Sequence, residues 1–209
     1  MIIWGWRAFK ALIATGVFYC PRCLGDRTYR HLAARRWFTL FFIPVIPLER
    51  LGTFVQCDAC HGTFTEVALE APTVAVFEHT LGLAVRAAVA HLVSRLSPTG
   101  EVVALACAAL RDRPGVAQPY DEHRLRADVN AFADRRTALT YVAPLATTMS
   151  IDGREDFVRR LVLLGARLSP TDRLREPVSA IAAELQLSPA HVAGIREQVE
   201  AGMRTGGLA

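Results

Sequence analysis

Four cysteines fall into two pairs of identical spacing, Cys20-Pro21-Arg22-Cys23 and Cys57-Asp58-Ala59-Cys60. A two-residue spacer lets both sulfurs of a pair face one ion while backbone N–H groups of the turn point at them. Two such pairs supply the four thiolates of a closed tetrahedral zinc site. With every position taken by sulfur no place is left for water, so the ion expected here is one structural Zn²⁺, not a catalytic one. Zinc with four thiolates is an anionic centre that nearby cations stabilise, and Arg22 and Arg27 are placed to do so. His61 directly follows Cys60 and cannot replace it without breaking the spacing. Cys107, the fifth cysteine, lies on an apolar helical face and reads as a small core residue.

Two further groupings carry weaker chemistry. Asp152-Gly153-Arg154-Glu155 has the acids of a divalent-cation site, with Asp121, Glu122 or Asp128 as helpers. The same residues also read as a helix start, Asp152 capping and Glu155 closing a capping box, and the reading favours the cap. Arg27, Arg30, Arg35 and Arg36, with His31, Tyr29 and Trp37 beside them, form a basic and aromatic set of the kind that meets nucleic-acid phosphates and bases. They could equally face acidic groups of the same chain. His79, His91, His123 and His191 share no ligand spacing. No Gly-rich phosphate loop, no nucleophile with a base at readable spacing and no His-rich open metal site occurs, so the expectation is a protein without enzymatic activity.

The charge that surrounds these groups is uneven. Residues 1–65 hold eight cations against Asp26, Glu49 and Asp58, a balance of +5, whereas the rest of the 209-residue chain balances to −1. Twelve of the 17 aromatic residues also precede residue 66, so the N-terminal third is a basic, aromatic-rich unit of its own. Cysteines kept in metal-type pairs fit a reducing, cytoplasmic setting better than a disulfide framework. The apolar run Phe38–Leu48 is too short for a membrane helix. Val74–Leu96 is long enough but is interrupted by Glu78, His79, Arg86, His91 and Arg95. No membrane span is expected.

The elements that must position the cysteines read as strands. Residues 1–19 form an entry strand or two, with Gly5 and Gly16 as bends. Thr28–His31 reads as a short strand and Arg35–Ile43 as the longest, ended by Pro44 and Pro47, which cannot donate to a ladder. Thr53–Gln56 leads into the second pair and Gly62–Glu66 leaves it. So small a unit has little core, and aromatic packing and metal must hold it. The apolar Phe41–Leu48 segment should be covered, by the helical region or by a partner protein. The two cysteine pairs together with Trp37-Phe38-Thr39-Leu40-Phe41-Phe42-Ile43-Pro44-Val45-Ile46-Pro47 resemble a small bacterial zinc-ribbon family. That resemblance implies Cys20, Cys23, Cys57 and Cys60 as ligands.

From about residue 70 the apolar period becomes helical. Val103, Ala106, Cys107 and Leu110 recur at that spacing, as do Leu139, Val142, Ala146 and Met149. Phe157, Leu161, Leu164 and Leu168 follow, then Val192, Ile195, Val199 and Met203. Ser169-Pro170 and Ser188-Pro189 are helix starts, Pro177 opens a helix to about Leu187, and another runs from Asp121 to Phe132. Six or seven helices are expected. The paired plan of Val102–Val129 and Tyr141–Ala166, with Ser150-Ile151-Asp152-Gly153 and Ala183–Val192, resembles the tellurite-resistance TerB-like helical domain over residues 78–203. The expected fold is therefore α+β by parts: a β zinc ribbon (1–66), a linker and connecting helix (67–100), and an all-α TerB-like bundle (101–209). What the resemblances imply is a zinc-binding adaptor with protein partners, linked to metal or tellurite stress. The alternative is a nucleic-acid-binding ribbon acting through its arginines.

Overall fold

The computed structural model describes residues 4–40, 43–169 and 172–205. The chain divides into two compact units, Met1–Val76 and Phe77–Ala209. The first is an antiparallel sheet in the order β1-β2-β3-β4, with β1 Trp4–Cys20, β2 Gly25–Leu40, β3 Ile43–Cys57 and β4 Thr63–Phe64, followed by a 3₁₀ turn at Glu66–Leu69. The second holds α-helices: α1 Val74–Val93 (begun in the first unit), α2 Gly100–Leu110, α3 Glu122–Phe132, α4 Arg135–Val142, α5 Leu145–Thr148, α6 Ile151–Leu168, α7 Arg175–Glu184 and α8 Pro189–Arg204.

Each cysteine pair sits at a strand turn, and the antiparallel register puts both turns at one end of the sheet. Cys20 pairs with Gly25 across the first turn, and Tyr29 pairs with Cys57. From there β1, β2 and β3 run away together for roughly 50 Å, at about 3.3 Å per residue. The buried cluster of this unit lies at the cysteine end, where Phe18, Cys20, Val55 and Cys57 have Tyr29, Phe64 and Leu69 packed on them; Leu32 and Thr39 are buried farther along β2. Most of the far half of the sheet is exposed.

Three strand expectations are corrected. Thr28–His31 and the segment from Arg35 belong to one strand, β2, which ends at Leu40. Phe41 and Phe42 lie outside the described residues. Pro44 and Pro47 do not terminate a strand but lie within β3, opposite Thr39 and Trp37. They are tolerated because β4 pairs only with Val55 and Gln56, which leaves the proline end of β3 as a sheet edge where no donor is needed. Gly16 is no bend either: a Cβ there would lie 3.0 Å from the Tyr29 ring, so the glycine makes room for an aromatic on the neighbouring strand.

In the helical unit the predicted stripes become the buried faces of α2, α6 and α8, centred on Leu110, Val158, Leu161 and Ile195, except that Met203 at the end of α8 is exposed. The stripe from Leu139 to Met149 is not one helix. It breaks between α4 and α5 at Ala143-Pro144, because proline at 144 lacks the donor an unbroken helix needs there. Pro177 lies in the first turn of α7, where a missing N–H costs nothing, so α7 starts two residues earlier than expected. Ser188 caps α8 and Pro189 opens it, with His191 closing the capping box. Ser169 follows α6, while Pro170 is outside the described residues. Eight α-helices result among the described residues, one of them a single turn.

Helix α1 is the one described helix long and apolar enough to cross a membrane by length and composition, with half of that window buried. Its second half, Ala84 and Ala87–Val93, is buried throughout. A glycine pair brings it close to the loop after α2: a Cβ at Gly82 would collide with the Gly115 carbonyl oxygen, and Gly115 itself has φ +72°. Arg86 of α1 forks onto the buried Asp128 carboxylate of α3 at 2.5 and 2.8 Å, and the Tyr120 hydroxyl donates to the same carboxylate at 2.6 Å. Asp128 holds the Arg86 guanidinium above its ordinary range, and burial first, then that carboxylate, pushes the Tyr120 phenol up.

Candidate metal centre

Each cysteine pair is a turn built in the same way. The residue after the second cysteine takes left-handed backbone in both, Leu24 at φ 52° and His61 at φ 54°. That conformation reverses the chain so that two sulfurs three residues apart point to one side. In the second turn the Cys57 N–H donates to the Gly62 carbonyl and the Asp58 N–H to Thr28 of β2, which docks the turn against the sheet. His61 therefore spends its position on the turn and is not among the clustered ligand atoms. The left-handed position after each pair is usually a glycine's, and here neither Leu24 nor His61 signals it.

The four sulfurs of Cys20, Cys23, Cys57 and Cys60 lie within 4.8 Å of one another, and Cys20 Sγ is 3.8 Å from Cys60 Sγ. A tetrahedral zinc–thiolate centre with bonds of about 2.3 Å requires sulfur edges of about 3.8 Å, the length of the Cys20–Cys60 edge. Cys20 and Cys57 are fully buried, and Cys23 and Cys60 are half-buried. As a free thiol Cys23 resists ionisation: burial, then hydrogen bonding with Cys60, Cys20 and Cys57, pushes it up to about 12. A divalent cation reverses that logic, since it is the charge that lets four crowded sulfurs ionise together. The Phe18 ring supports the cage, meeting Tyr29 edge-on at 5.6 Å and Phe64 at 5.8 Å.

Two supporting interactions carried no sequence signal. Asp26, in the turn after the first pair, accepts from the Val74 and Ala75 N–H groups at 2.8 and 3.3 Å and so caps the start of α1. Glu66 accepts from Thr53 Oγ1 at 2.5 Å and pairs with His31 Nε2 at 2.7 Å, tying β2, β3 and the 3₁₀ turn together. Thr53 first, then His31, holds its carboxyl below the usual range.

The remaining predicted residues do not converge on a common site. Arg27 donates to the Asp26 carbonyl and Arg30 pairs with Asp58 at 2.7 Å, both near the metal end. Arg35 lies over Trp37 and Arg36 near Glu49, several residues farther along β2. Among the described residues no hydrogen bond runs from Arg22 or Arg27 to sulfur. Ser150, not Asp152, caps α6, accepting from the Gly153 N–H. Asp152 is exposed in the first turn, and Glu155 lies 3.8 Å from His191. Of the helper acids, Asp121 caps α3, Glu122 pairs with Arg126 and Asp128 with Arg86. Cys107 is buried in the helical core.

Neither a curated protein nor a solved structure matches the chain significantly. The model of a zinc-ribbon family matches residues 18–95, a span that takes in both cysteine pairs and extends through α1. The geometry and this match agree on the same four residues: Cys20, Cys23, Cys57 and Cys60 form a cluster that fits one structural metal ion in a zinc ribbon.

Proposed function

We propose that the chain is a non-enzymatic, cytoplasmic adaptor whose ribbon is held by one structural Zn²⁺ and which acts through its surfaces on protein partners. The observation that carries this reading is the four-sulfur cage. It closes the coordination sphere, so the ion would build the ribbon without offering water or substrate an open position. Cys20, Cys23, Cys57 and Cys60 would hold it, and the chemistry supplied is charge neutralisation of their thiolates. The TerB-like plan of the helices supports a place in metal or tellurite stress responses. Native mass spectrometry of the zinc-loaded chain, with and without added divalent cations, tests the reading. One bound zinc and no second ion supports it. A second cation that is lost in Asp152→Asn overturns it and moves the search for chemistry to the helical unit.

A further inference from the structure

The far half of the β1–β3 sheet is a single layer with both faces open. A three-stranded sheet with no second layer has nothing to bury its apolar side chains against. Trp6, Ile43, Val45 and Ile46 are each more than half exposed, and Leu48 nearly so. Such a run exceeds the scattered apolar residues of an ordinary surface.

Directly behind this tip lies a basic belt. Cross-strand register places Arg7 opposite Trp37, Ala8 opposite Arg36, and Phe9 opposite Arg35, which in turn faces Arg50. With Lys10, five basic side chains gather here, Arg36 lying 3.8 Å from Glu49. A shallow depression of about 580 Å³ opens here, lined by Lys10, Arg35, Arg50, Phe9 and Trp37. Lys10 lies over the Phe54 ring, Arg35 lies over Trp37, and the buried Arg35 Nε has no hydrogen-bond partner.

The geometry points to an anionic phospholipid surface as the occupant: the apolar tip enters the interfacial region while the belt meets the headgroup phosphates. From Arg35 to Leu40 the strand advances roughly 17 Å. That is enough for interfacial burial to about 5–10 Å with the cations left at headgroup level. The sheet edge that would enter is adapted to this. Pro44 and Pro47 remove two donors from β3, and Thr39 Oγ1 donates to the Gly5 carbonyl at 3.0 Å, so fewer backbone groups reach lipid unpaired. A second copy is disfavoured, because five cations would oppose five. A nucleic acid would engage the belt but leave the tip uncovered. The inference stands independently of the non-enzymatic reading.

Vesicle co-sedimentation of the zinc-loaded full chain, read together with tryptophan emission, tests it. All three tryptophans, Trp4, Trp6 and Trp37, lie on this arm, so emission reports on nothing else. The expected result is binding and a blue shift with vesicles containing phosphatidylglycerol, weakened by salt and absent with phosphatidylcholine alone. Arg35→Gln and Arg50→Gln should each lower affinity roughly fivefold, and Ile46→Asp should abolish the blue shift, with zinc content unchanged in all three. Four results would overturn the inference: no vesicle binding, equal binding to neutral vesicles, a lipid-free dimer dissociated by Ile46→Asp, or binding to RNA or DNA that Ile46→Asp leaves intact. If a variant loses zinc, the lipid and salt dependence of the unmodified chain decides alone.

Discussion

The two units reach a folded state by different means. The helical unit buries a continuous set of Ala, Val, Leu and Ile side chains from all eight of its described helices, together with a paired Arg86–Asp128–Tyr120 group. The ribbon has a buried set of four residues, two of which are cysteines. One unit has a large area removed from water; the other has little core and four sulfurs positioned to hold an ion. A perturbation that destroys one should therefore leave the other standing.

The largest expected effect is on the metal. Cys57→Ser removes one of four ligands from a fully buried position, and structural zinc binding is worth roughly 10–16 kcal/mol of apparent folding free energy. The variant should lose its metal and its near-UV tryptophan signal, since every tryptophan is in β1 or β2. Far-UV helical ellipticity should persist. Loss of helix and ribbon together would break the comparison.

Two substitutions in the helical unit probe the converse. Asp128→Asn leaves Arg86 and Tyr120 without their carboxylate. Breaking a buried pair costs about 3–5 kcal/mol, and Arg86 is partly exposed, which places the expected loss near 3 kcal/mol or below. Gly82→Ala forces a methyl group against the Gly115 carbonyl and should cost roughly 1–3 kcal/mol by overpacking. Denaturant unfolding followed at 222 nm measures both. Zinc stoichiometry should stay at one per chain, and its loss would show that the ribbon needs an intact helical unit.

The same contrast explains what was legible in the sequence. Metal ligation announces itself, because ligand type and spacing are local, so two Cys-x-x-Cys turns sufficed to name the cage. The long helical stripes were equally readable, as in Phe157–Leu168, since burial on one face imposes a period. What escaped depends on residues distant in sequence. Gly16 is explained by Tyr29 on the next strand and Gly82 by Gly115 in a later loop. Pro44 and Pro47 looked like terminators because nothing local tells an edge strand from a central one. Asp26 reads as a turn residue until Val74 and Ala75 arrive as its donors. Pro144 was the exception, a local signal overridden by the apolar spacing on either side of it.

The smallest expected effect concerns pH and separates the units again. His91 of α1 is fully buried, its Nδ1 3.3 and 3.2 Å from the Phe132 and Ala133 carbonyls, and its Nε2 lacks a partner. Burial lowers its affinity for a proton. The two carbonyls oppose that, while Arg95 in the turn after α1 adds to it and Glu176 of α7 offsets it. A histidine whose folded-state pKa is depressed binds fewer protons folded than unfolded. Its contribution is therefore complete above the unfolded value of about 6.5 and is lost as pH falls through the folded value. The thermal stability of the helical unit should fall on the acid side of neutrality. Asp134 is also held low, by its bonds from the Thr137 N–H and hydroxyl, but its contribution disappears only in the carboxylate range, so the two processes are resolved in pH. His91→Gln retains a donor for the carbonyls without a titrating ring and should flatten the first step alone. An unchanged acid slope in that variant would show that His91 is not the source of the sensitivity.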